Sequence, residues 1–228
     1  MQLIYQGKTK DVYKVENNQI LLKFKDDVTG ENGVFDPGAN TVGLTIEGAG
    51  KSGLKMSTYF FELLNNNDIP THFISSDIEN VSMLVKDVQV LGKGLEVICR
   101  YKAVGSFYKR YAAYCEEAQD LDSFVEITIK DDERGDPVIS SAALNMLGIL
   151  KDGEYEQLVK LTRNICAIIK AELAKKSLTL YDIKLEFGYD KSTGNIILID
   201  EISGGNMRVY QDGHYVAPLE LERIFLNN

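Results

Sequence analysis

Apolar and charged residues alternate strictly from Asp182 to Phe187, which predicts a β-strand with one charged and one apolar face. A turn rich in polar residues and glycine follows, and then an apolar strand at 196–199. Pairing Asp190 with Ile196 across this turn would put Glu186 opposite Asp200. Two opposed carboxylates repel each other. If Mg²⁺ bound between them, with phosphates completing its coordination shell, the pair would form a metal site. A hairpin face with simply solvated charges is the alternative.

The same patterns predict the other elements of the chain. Short strands are expected at 3–5, 12–15 and 20–25, and a loop rich in Gly, Pro, Asn and Thr at 36–53. Residues 84–101 look like two antiparallel strands joined by a turn near Gly92–Gly94. Helical spacing of apolar residues predicts helices at 54–67, 103–118, 140–150, 154–176 and 218–225. We expect an α+β fold with a mainly β N-terminal lobe, 1–93, and an α+β C-terminal lobe, 94–228.

Composition restricts the class of protein. The chain has 228 residues, 44% of them hydrophobic and 26% charged, as in ordinary globular proteins. A net charge of −9 argues against a general nucleic-acid binder, and no apolar run is long enough to span a membrane. The N-terminus is expected to be a strand rather than a signal peptide. Three widely spaced cysteines favour reduced thiols and a cytoplasmic location, and two isolated histidines are too few for a zinc site.

Three segments carry candidate chemistry. Lys8 and Lys10, beside Gly7, could hold polyphosphate, although lysines on an exposed strand are usually just solvated. Arg100 and Ser106, with the basic residues around them, could form a phosphate site at a helix start, or a basic face in an acidic protein. The acidic loop 130–137 could simply be solvated; alternatively, its Asp136, held extended before proline, would point into a cleft.

Together these segments resemble the SAICAR synthetase (phosphoribosylaminoimidazole-succinocarboxamide synthase) family. The resemblance rests on GKTK at 7–10, CRYKAVGSFYKR at 99–110, the Asp-Pro loop, DIKLEFG at 182–188 and DEIS at 200–203. It implies a two-lobed α+β fold with ATP in the cleft between the lobes. It also implies an ATP- and Mg²⁺-dependent ligase that joins L-aspartate to the carboxylate of carboxyaminoimidazole ribotide through an acyl phosphate. A homo-oligomer, most simply a dimer, is implied as well.

The resemblance also assigns roles to residues. Lys8 and Lys10 would contact the ATP phosphates, and the strand around Lys86 would pass the adenine. Glu186 and Asp200 would hold Mg²⁺, and Lys184 would lie beside the reacting carboxylate. The ribotide 5′-phosphate would be bound by Arg100, Ser106 and Arg208.

The sequence departs from the family pattern after Ser203. The family continues Pro-Asp there, whereas this chain has Gly204-Gly205, so the carboxylate expected to meet the aminoimidazole is absent. The Arg-Asn pair of the family is Arg100-Tyr101 here, and the loop before the first helix also differs. Asn206 is a candidate substitute for base recognition because its amide oxygen can accept a hydrogen bond. A purely structural Gly-Gly-Asn turn is the alternative.

These departures leave other functions open. A divergent paralogue could use a different ribotide or amine. A phosphoryl transferase without an amide step would also suit a lysine-rich strand and metal-binding carboxylates, although no kinase catalytic-loop pattern is present. A nucleotide-binding protein with a regulatory role is the non-enzymatic alternative, motivated by the lost carboxylate.

Overall fold

The computed structural model describes residues 1–16, 18–31, 33–36 and 41–227. Its strands are β1 (Gln2–Gln6), β2 (Lys10–Lys14), β3 (Gln19–Phe24), β4 (Asp27–Glu31), β5 (Val34–Phe35), β6 (Val42–Thr45), β7 (Phe73–Asp77), β8 (Ser82–Lys86), β9 (Val88–Val90), β10 (Leu95–Lys102), β11 (Asp120–Ile129), β12 (Thr179–Asp190), β13 (Ile196–Ile199), β14 (Met207–Gln211) and β15 (His214–Tyr215). Its α-helices are α1 (Ala49–Asn65), α2 (Gly105–Tyr111), α3 (Ser141–Met146), α4 (Glu154–Ala174) and α5 (Pro218–Leu226). The expected α+β class with antiparallel sheets is confirmed.

The chain divides into two compact units. The first comprises Met1–Gln89, Gly188–Asn206 and Ala217–Asn228, and the second comprises Val90–Phe187 and Met207–Val216. The chain leaves the first unit after Gln89, whereas the sequence places a boundary near residue 94. The two later segments of the first unit return to it from far along the chain, which no local pattern indicates.

The first unit is built on an antiparallel sheet in the order β1-β2-β3-β8-β7. Helix α1 supplies its core, with Leu54, Met56, Phe60 and Leu64 fully buried. The Phe60 ring stacks on Phe225 of α5 with 5.1 Å between ring centroids. Burying such side chains is worth about 1.5–3 kcal/mol each, so the α1–α5 contact anchors the C-terminal helix in this unit.

Helix α1 begins earlier than predicted. It starts at Ala49, inside the stretch expected to be loop, and β6 also lies in that stretch. Asp26 explains the early start because its carboxylate accepts hydrogen bonds from the backbone N–H groups of Gly48 and Gly50, at 3.0 and 2.9 Å. A helix whose first N–H groups bind a carboxylate from elsewhere in the chain needs no local cap. Residues 37–40 of the predicted loop lie outside the described residues.

The second unit is built on an antiparallel sheet in the order β11-β10-β12-β14-β15. Helix α4 covers β10 and β11 with the buried residues Leu158, Ile165 and Ile169, as its apolar stripe predicts. The predicted hairpin within 84–101 is wrong in its pairing, because β9 pairs with β12 and β10 lies between β11 and β12. Helices α2 and α3 are shorter than predicted.

The turn between β12 and β13 corrects the predicted register. The Asp190 N–H donates to the Asn195 carbonyl at 2.9 Å, so Asp190 lies opposite Asn195 rather than Ile196. Gly194, with φ +74°, donates to the Asp190 carbonyl and absorbs the extra residue of the turn. A shift of one residue exchanges the faces of a strand. The register therefore does not support the placement of Glu186 opposite Asp200, and their joint metal site stays a prediction.

Asp136 also differs from its expected conformation. It has φ +47° rather than an extended backbone, and its carboxylate accepts a hydrogen bond from the Asp131 N–H at 2.7 Å. The acidic loop is therefore closed on itself by this contact. All three cysteines are free thiols. Among the described residues, no helix combines the length and apolar character needed to cross a membrane.

Candidate functional site

A buried lysine between two carboxylates marks the first unit. Lys10, the first residue of β2, places its Nζ 2.7 Å from Glu201 Oε1 and 3.2 Å from Asp200 Oδ1. Burial lowers the pKa of Lys10, but the charges of Asp200 and Glu201 raise it by more, so the net shift is upward. Lys10 is therefore a fixed cation. Of its two partners, Asp200 has the more exposed side chain, at 28% against 12%.

The turn before Lys10 requires glycine. The Gly7 N–H donates to the Lys10 carbonyl at 2.8 Å, and a Cβ at Gly7 would lie 2.7 Å from that oxygen. Lys8 lies within this turn and is half-buried. The two lysines predicted to act together are thus in different settings, because Lys10 is held in an ion pair and Lys8 lies nearer the surface.

Lys86 is the last residue of β8 in the same unit. Its Nζ lies 3.3 Å from a carboxylate oxygen of Asp190, so it is an exposed cation beside an acidic residue. Hydrogen bonds from Ser192 hold the pKa of Asp190 below its usual range, and the Lys86 charge adds to this effect.

The segment after β13 is held by its own polar side chains. Asn206, 8% exposed, accepts a hydrogen bond from the Ser203 N–H at 2.9 Å and donates one to the Glu201 carbonyl at 2.6 Å. The Gly205 N–H donates to Ser203 Oγ at 2.9 Å. A Cβ at Gly204 would lie 2.6 Å from Pro218 Cα, so glycine is needed there for close packing. These contacts favour the structural turn over base recognition for Asn206.

A small pocket of about 50 Å³ adjoins this segment. Its lining within the first unit includes Thr9, Phe24, Asp27, Glu201 and Gly205. Both carboxylates face a space of only a few water molecules, so the pocket extends the polar surface beside the Lys10 cluster.

The second unit contains a buried network of arginines and carboxylates. Arg100 is 1% exposed and donates to Glu126 Oε1 from Nε and Nη2, at 2.8 and 2.6 Å. Its Nη1 donates to Asp182 at 2.9 Å, and its Nη2 also reaches Ser106 Oγ at 2.9 Å. Arg208 donates to the same Asp182 oxygen at 2.9 Å. The network thus brings together the three predicted phosphate ligands.

The charges of this network favour the binding of an anion. Arg110 donates to Glu126 at 2.6 Å, so three guanidinium groups face the two carboxylates of Glu126 and Asp182. One positive charge is left in excess among these five side chains. Buried charges need partners, and guanidinium groups bind phosphate through paired hydrogen bonds. The sequence reasoning missed Glu126, because nothing in the local pattern of β11 links it to a residue 26 positions earlier.

The remaining predicted residues lie on the charged face of β12 and near it. Lys184 Nζ lies 2.7 Å from the buried Glu96. Burial lowers the pKa of Lys184, but Glu96 raises it by more, so Lys184 stays charged. Glu186 accepts a hydrogen bond from Lys130 Nζ at 2.6 Å and keeps 16% of its side chain exposed. Burial, followed by the charge of Glu96, raises the pKa of Asp136.

Comparison with known proteins identifies the family of this chain. The sequence profile of the SAICAR synthetase family matches residues 3–223. The phosphoribosylaminoimidazole-succinocarboxamide synthase of Clostridium tetani is 59% identical over 226 residues, which cover 99% of this chain and 100% of the relative. A solved SAICAR synthetase (Type-2) in complex with ADP superposes with a TM-score of 0.83 at 30% identity, covering 93% of this chain and 87% of that one. The synthase from Ehrlichia chaffeensis superposes with a TM-score of 0.84 at 27% identity, covering 99% and 92%. This chain therefore belongs to the SAICAR synthetase family, the ATP-dependent ligases that join aspartate in purine biosynthesis.

Proposed function

We propose that the chain joins L-aspartate to the carboxylate of carboxyaminoimidazole ribotide with hydrolysis of ATP to ADP and phosphate. The γ-phosphoryl group of ATP would pass to the ribotide carboxylate, and the aspartate amine would then displace phosphate from the acyl phosphate. The assignment of the ribotide-binding residues depends on one observation, the arginine network with one positive charge in excess. A ribotide has a 5′-phosphate, which this network could bind. The non-enzymatic and kinase-like alternatives are not favoured, because the 59% identical relative, matched over its whole length, is a synthase by name.

The nucleotide is proposed to bind to the first unit. Lys8 and Lys10 would contact its phosphates, and β8 near Lys86 would pass the adenine. The solved Type-2 relative is in complex with ADP, which supports a nucleotide site in this family. Lys10 is preoriented by Asp200 and Glu201, so little side-chain entropy is lost when an anion approaches it.

Glu186 and Asp200 are each proposed as Mg²⁺ ligands. Both side chains offer carboxylate oxygens and are partly exposed, at 16% and 28%, which suits an ion that also takes phosphate and water ligands. Within the described ranges, no group of three or more His, Cys, Asp or Glu side chains forms a complete protein site. A carboxylate that shares the ion with nucleotide phosphates fits that limit. When bound, Mg²⁺ would neutralise phosphate charge and polarise the transferred group.

The ribotide is proposed to bind to the second unit through Arg208, Arg100 and Ser106. Lys184, kept charged by Glu96, would lie beside the reacting carboxylate. Its positive charge would offset the repulsion between that carboxylate and the phosphates. Asp136 is a further candidate for ribotide contact. We also propose a homo-oligomer, most simply a dimer, and a cytoplasmic location.

A coupled assay of ADP release tests this function. ADP should appear only when ATP, Mg²⁺, the carboxylated ribotide and L-aspartate are all present, and the product mass should equal that of the succinocarboxamide. A panel of other amino acids serves as the control for the amine donor. ADP release that does not need an amine would instead indicate a phosphoryl transferase, and nucleotide binding without turnover would indicate a regulatory protein.

Replacing Asn206 by alanine should reduce stability more than it changes ribotide binding. The change removes two hydrogen bonds to Ser203 and Glu201 at a buried position, each worth about 0.5–1.5 kcal/mol. Urea unfolding of the variant should show a loss of about 1–3 kcal/mol. Asn206→Asp keeps the acceptor for the Ser203 N–H but sets a carboxylate oxygen against the Glu201 carbonyl, so it should destabilise the fold at least as much. Unchanged stability with a raised ribotide KM would restore the recognition role.

Replacing Gly105 by alanine should weaken ribotide binding through Arg208. Gly105 has φ +56°, and a Cβ there would lie 2.7 Å from Arg208 Nη1, so the guanidinium must move. Gly213→Ala is the control, because Gly213 has φ +79° and nothing within 4 Å of its Cβ position. The two changes share the backbone strain of a side chain at positive φ, about 1–2 kcal/mol, but only the first displaces Arg208. Equal ribotide KM values for both variants would contradict this prediction.

A further inference from the structure

Glu126 is a buried carboxylate on the charged face of the second unit's sheet. On β11 it lies opposite Ile98 of β10, two residues before Arg100, so the Glu126 and Arg100 side chains point to the same face. The Glu126 side chain is only 4% exposed. The proposed phosphate ligands are Arg100, Ser106 and Arg208, and Glu126 has no part among them.

The two oxygens of Glu126 bind two different arginines. Oε1 accepts hydrogen bonds from Nε and Nη2 of Arg100, at 2.8 and 2.6 Å, and from Nη2 of Arg110, at 2.7 Å. Among the described residues, Oε2 accepts from Arg110 alone, at 2.6 Å. Arg100 belongs to β10 and Arg110 to the last turn of α2. Glu126 therefore joins the helix to the sheet.

Helix α2 depends on contacts made by its side chains. It is seven residues long, and none of these residues, all of which the structure describes, is buried. A helix this short is unstable alone and needs tertiary contacts. The Phe107 ring lies 5.5 Å from that of Phe124 and 5.8 Å from the Arg100 guanidinium, but Phe124 is itself 42% exposed. The polar contacts between α2 and the sheet are therefore important for its position.

Two of these polar contacts lie on one face of α2. Ser106 and Arg110 are four residues apart and so are neighbours on the helix surface. Ser106 Oγ accepts a hydrogen bond from Arg100 Nη2 at 2.9 Å, and Arg110 donates to Glu126. Because Arg100 also donates to Glu126, the four side chains form a closed ring of hydrogen bonds. Without the contact between Arg110 and Glu126, this face of α2 would be tied to the sheet through Ser106 alone.

We propose that Glu126 is a positioning residue, which holds α2 on the sheet through Arg110 and thereby keeps Ser106 beside Arg100. This inference rests on the proposed function, in which Ser106 and Arg100 bind the ribotide 5′-phosphate. Glu126 does not contact the phosphate. A carboxylate repels a phosphate, so Glu126 can favour ribotide binding only through the groups that it holds.

Glu126→Gln separates the two arginines. The glutamine oxygen can still accept from Arg100 at the Oε1 position. Its NH₂ group then faces Arg110 Nη2 at the Oε2 position, and two donors cannot form a hydrogen bond. The variant therefore releases α2 from the sheet while Arg100 stays bound.

The affinity for the carboxylated ribotide, measured by calorimetry, gives the sign of the effect. Glu126→Gln removes a negative charge, so ribotide binding would become tighter if Glu126 only competed with the phosphate for the arginines. We expect binding to weaken about 10–100-fold instead, because the charged hydrogen bond from Ser106 to the phosphate is lost. Glu220→Gln is the matched control, since it changes the net charge equally at an exposed pair with Arg223 and should leave the affinity unchanged. Unchanged or tighter binding in Glu126→Gln would overturn the proposal.

Ser106→Ala shows whether Glu126 acts through α2. If it does, Glu126→Gln should lower ribotide affinity much less in a Ser106→Ala background than in the wild-type background, because the same interaction is already lost. A purely structural role would lower stability in both backgrounds without this coupling. Additive losses of affinity would therefore contradict the proposal.

Hydrogen exchange tests the docking of α2 without any ligand. At short labelling times, the α2 amides should exchange faster in Glu126→Gln than in wild type, while those of α4 keep their rates and show that the fold is intact. Arg110→Ala removes the same contact from a partly exposed position and replaces Glu126→Gln if that variant does not fold. Unchanged exchange of α2 would overturn the proposal whether or not the chain is a ligase. If the wild-type protein binds no ribotide, the proposed function fails, and the exchange of α2 alone decides the role of Glu126.

Discussion

Asp200→Asn is expected to lower turnover by at least about 100-fold while the protein stays folded. The substitution keeps the size of the side chain and removes the negative charge that strengthens the binding of Mg²⁺ by a carboxylate. Lys10 keeps its shorter contact, 2.7 Å to Glu201, so the buried ammonium is not left alone. The lost ion pair joins a buried lysine to a partly exposed carboxylate, so its loss costs more than the roughly 0–1 kcal/mol of an exposed pair, while Glu201 still compensates the Lys10 charge. Rates of ADP release at saturating substrates, together with urea unfolding, measure the two effects separately.

Glu186→Gln is expected to act in the same way in the second unit. It removes one partner of Lys130, an exposed contact whose loss costs little stability. Glu79→Gln is the matched control, because Glu79 is a highly exposed carboxylate, paired loosely with Lys51 at 3.4 Å. Near-wild-type activity in Asp200→Asn or Glu186→Gln, at ordinary Mg²⁺ concentrations, would remove that residue from the metal site. Activity that returns at high Mg²⁺ would support it.

Local patterns predicted the elements whose faces alternate regularly. The apolar stripe of α4 and the alternation of β12 follow directly from burial on one side of each element. Helix α4 was found close to its true bounds, whereas the alternation at 182–187 covers only the middle of β12. The start of α1 could not be found in this way, because its N–H groups are bound by Asp26, more than twenty residues earlier. Contacts between residues distant in sequence leave no periodic signal.

The turn between β12 and β13 shows a different limit. The composition of that turn identified a hairpin, but its register depended on Gly194, whose left-handed backbone inserts one residue. Asp136 illustrates the same point, because the rule for a residue before proline predicts extended backbone and a tight loop imposes φ +47° instead. Backbone geometry at such positions is set by closure of the loop, not by the residue type.

The sequence named candidate site residues, which stay predictions, but it did not indicate their partners. The basic motif around Arg100 and the carboxylates of DIKLEFG were recognised from residue type and spacing. Their mutual contacts were not, because Arg100 and Asp182 come from strands 82 residues apart and Glu126 comes from a third strand. The sequence indicated a phosphate site made of basic residues. It did not indicate that each of the three arginines already binds a carboxylate.

That network changes what Arg100→Ala should do. Arg100 is buried and donates to both Glu126 and Asp182, so its removal leaves a cavity at the centre of the second unit and only one arginine on each carboxylate, Arg110 on Glu126 and Arg208 on Asp182. Each charged hydrogen bond lost with Arg100 is worth about 1.5–3 kcal/mol. We expect a large loss in urea unfolding, and any loss of ribotide binding will follow from that. The sequence alone assigned Arg100 to the ribotide 5′-phosphate and gave no sign of this structural role.

Arg208→Ala is the cleaner test of the phosphate site. Arg208 is less buried than Arg100, with 15% of its side chain exposed against 2%, and Asp182 keeps its contact with Arg100 when Arg208 is removed. A charged hydrogen bond to phosphate is worth about 1.5–3 kcal/mol, so ribotide affinity should fall about ten- to a hundred-fold while ATP affinity stays nearly constant. Calorimetry with each ligand separates the two.

The control for Arg208→Ala is Arg223→Ala, which removes an exposed arginine paired with Glu220 on α5. It should change neither affinity, because it lies in another part of the chain and its ion pair is exposed. Arg208→Lys should recover only part of the ribotide affinity, since lysine keeps the charge but cannot bind Asp182 and a phosphate through two fixed N–H groups at once. If Arg208→Ala weakens ATP and ribotide equally, the anion held by this network is not the ribotide phosphate, and the assignment of the two ligands to the two units is wrong.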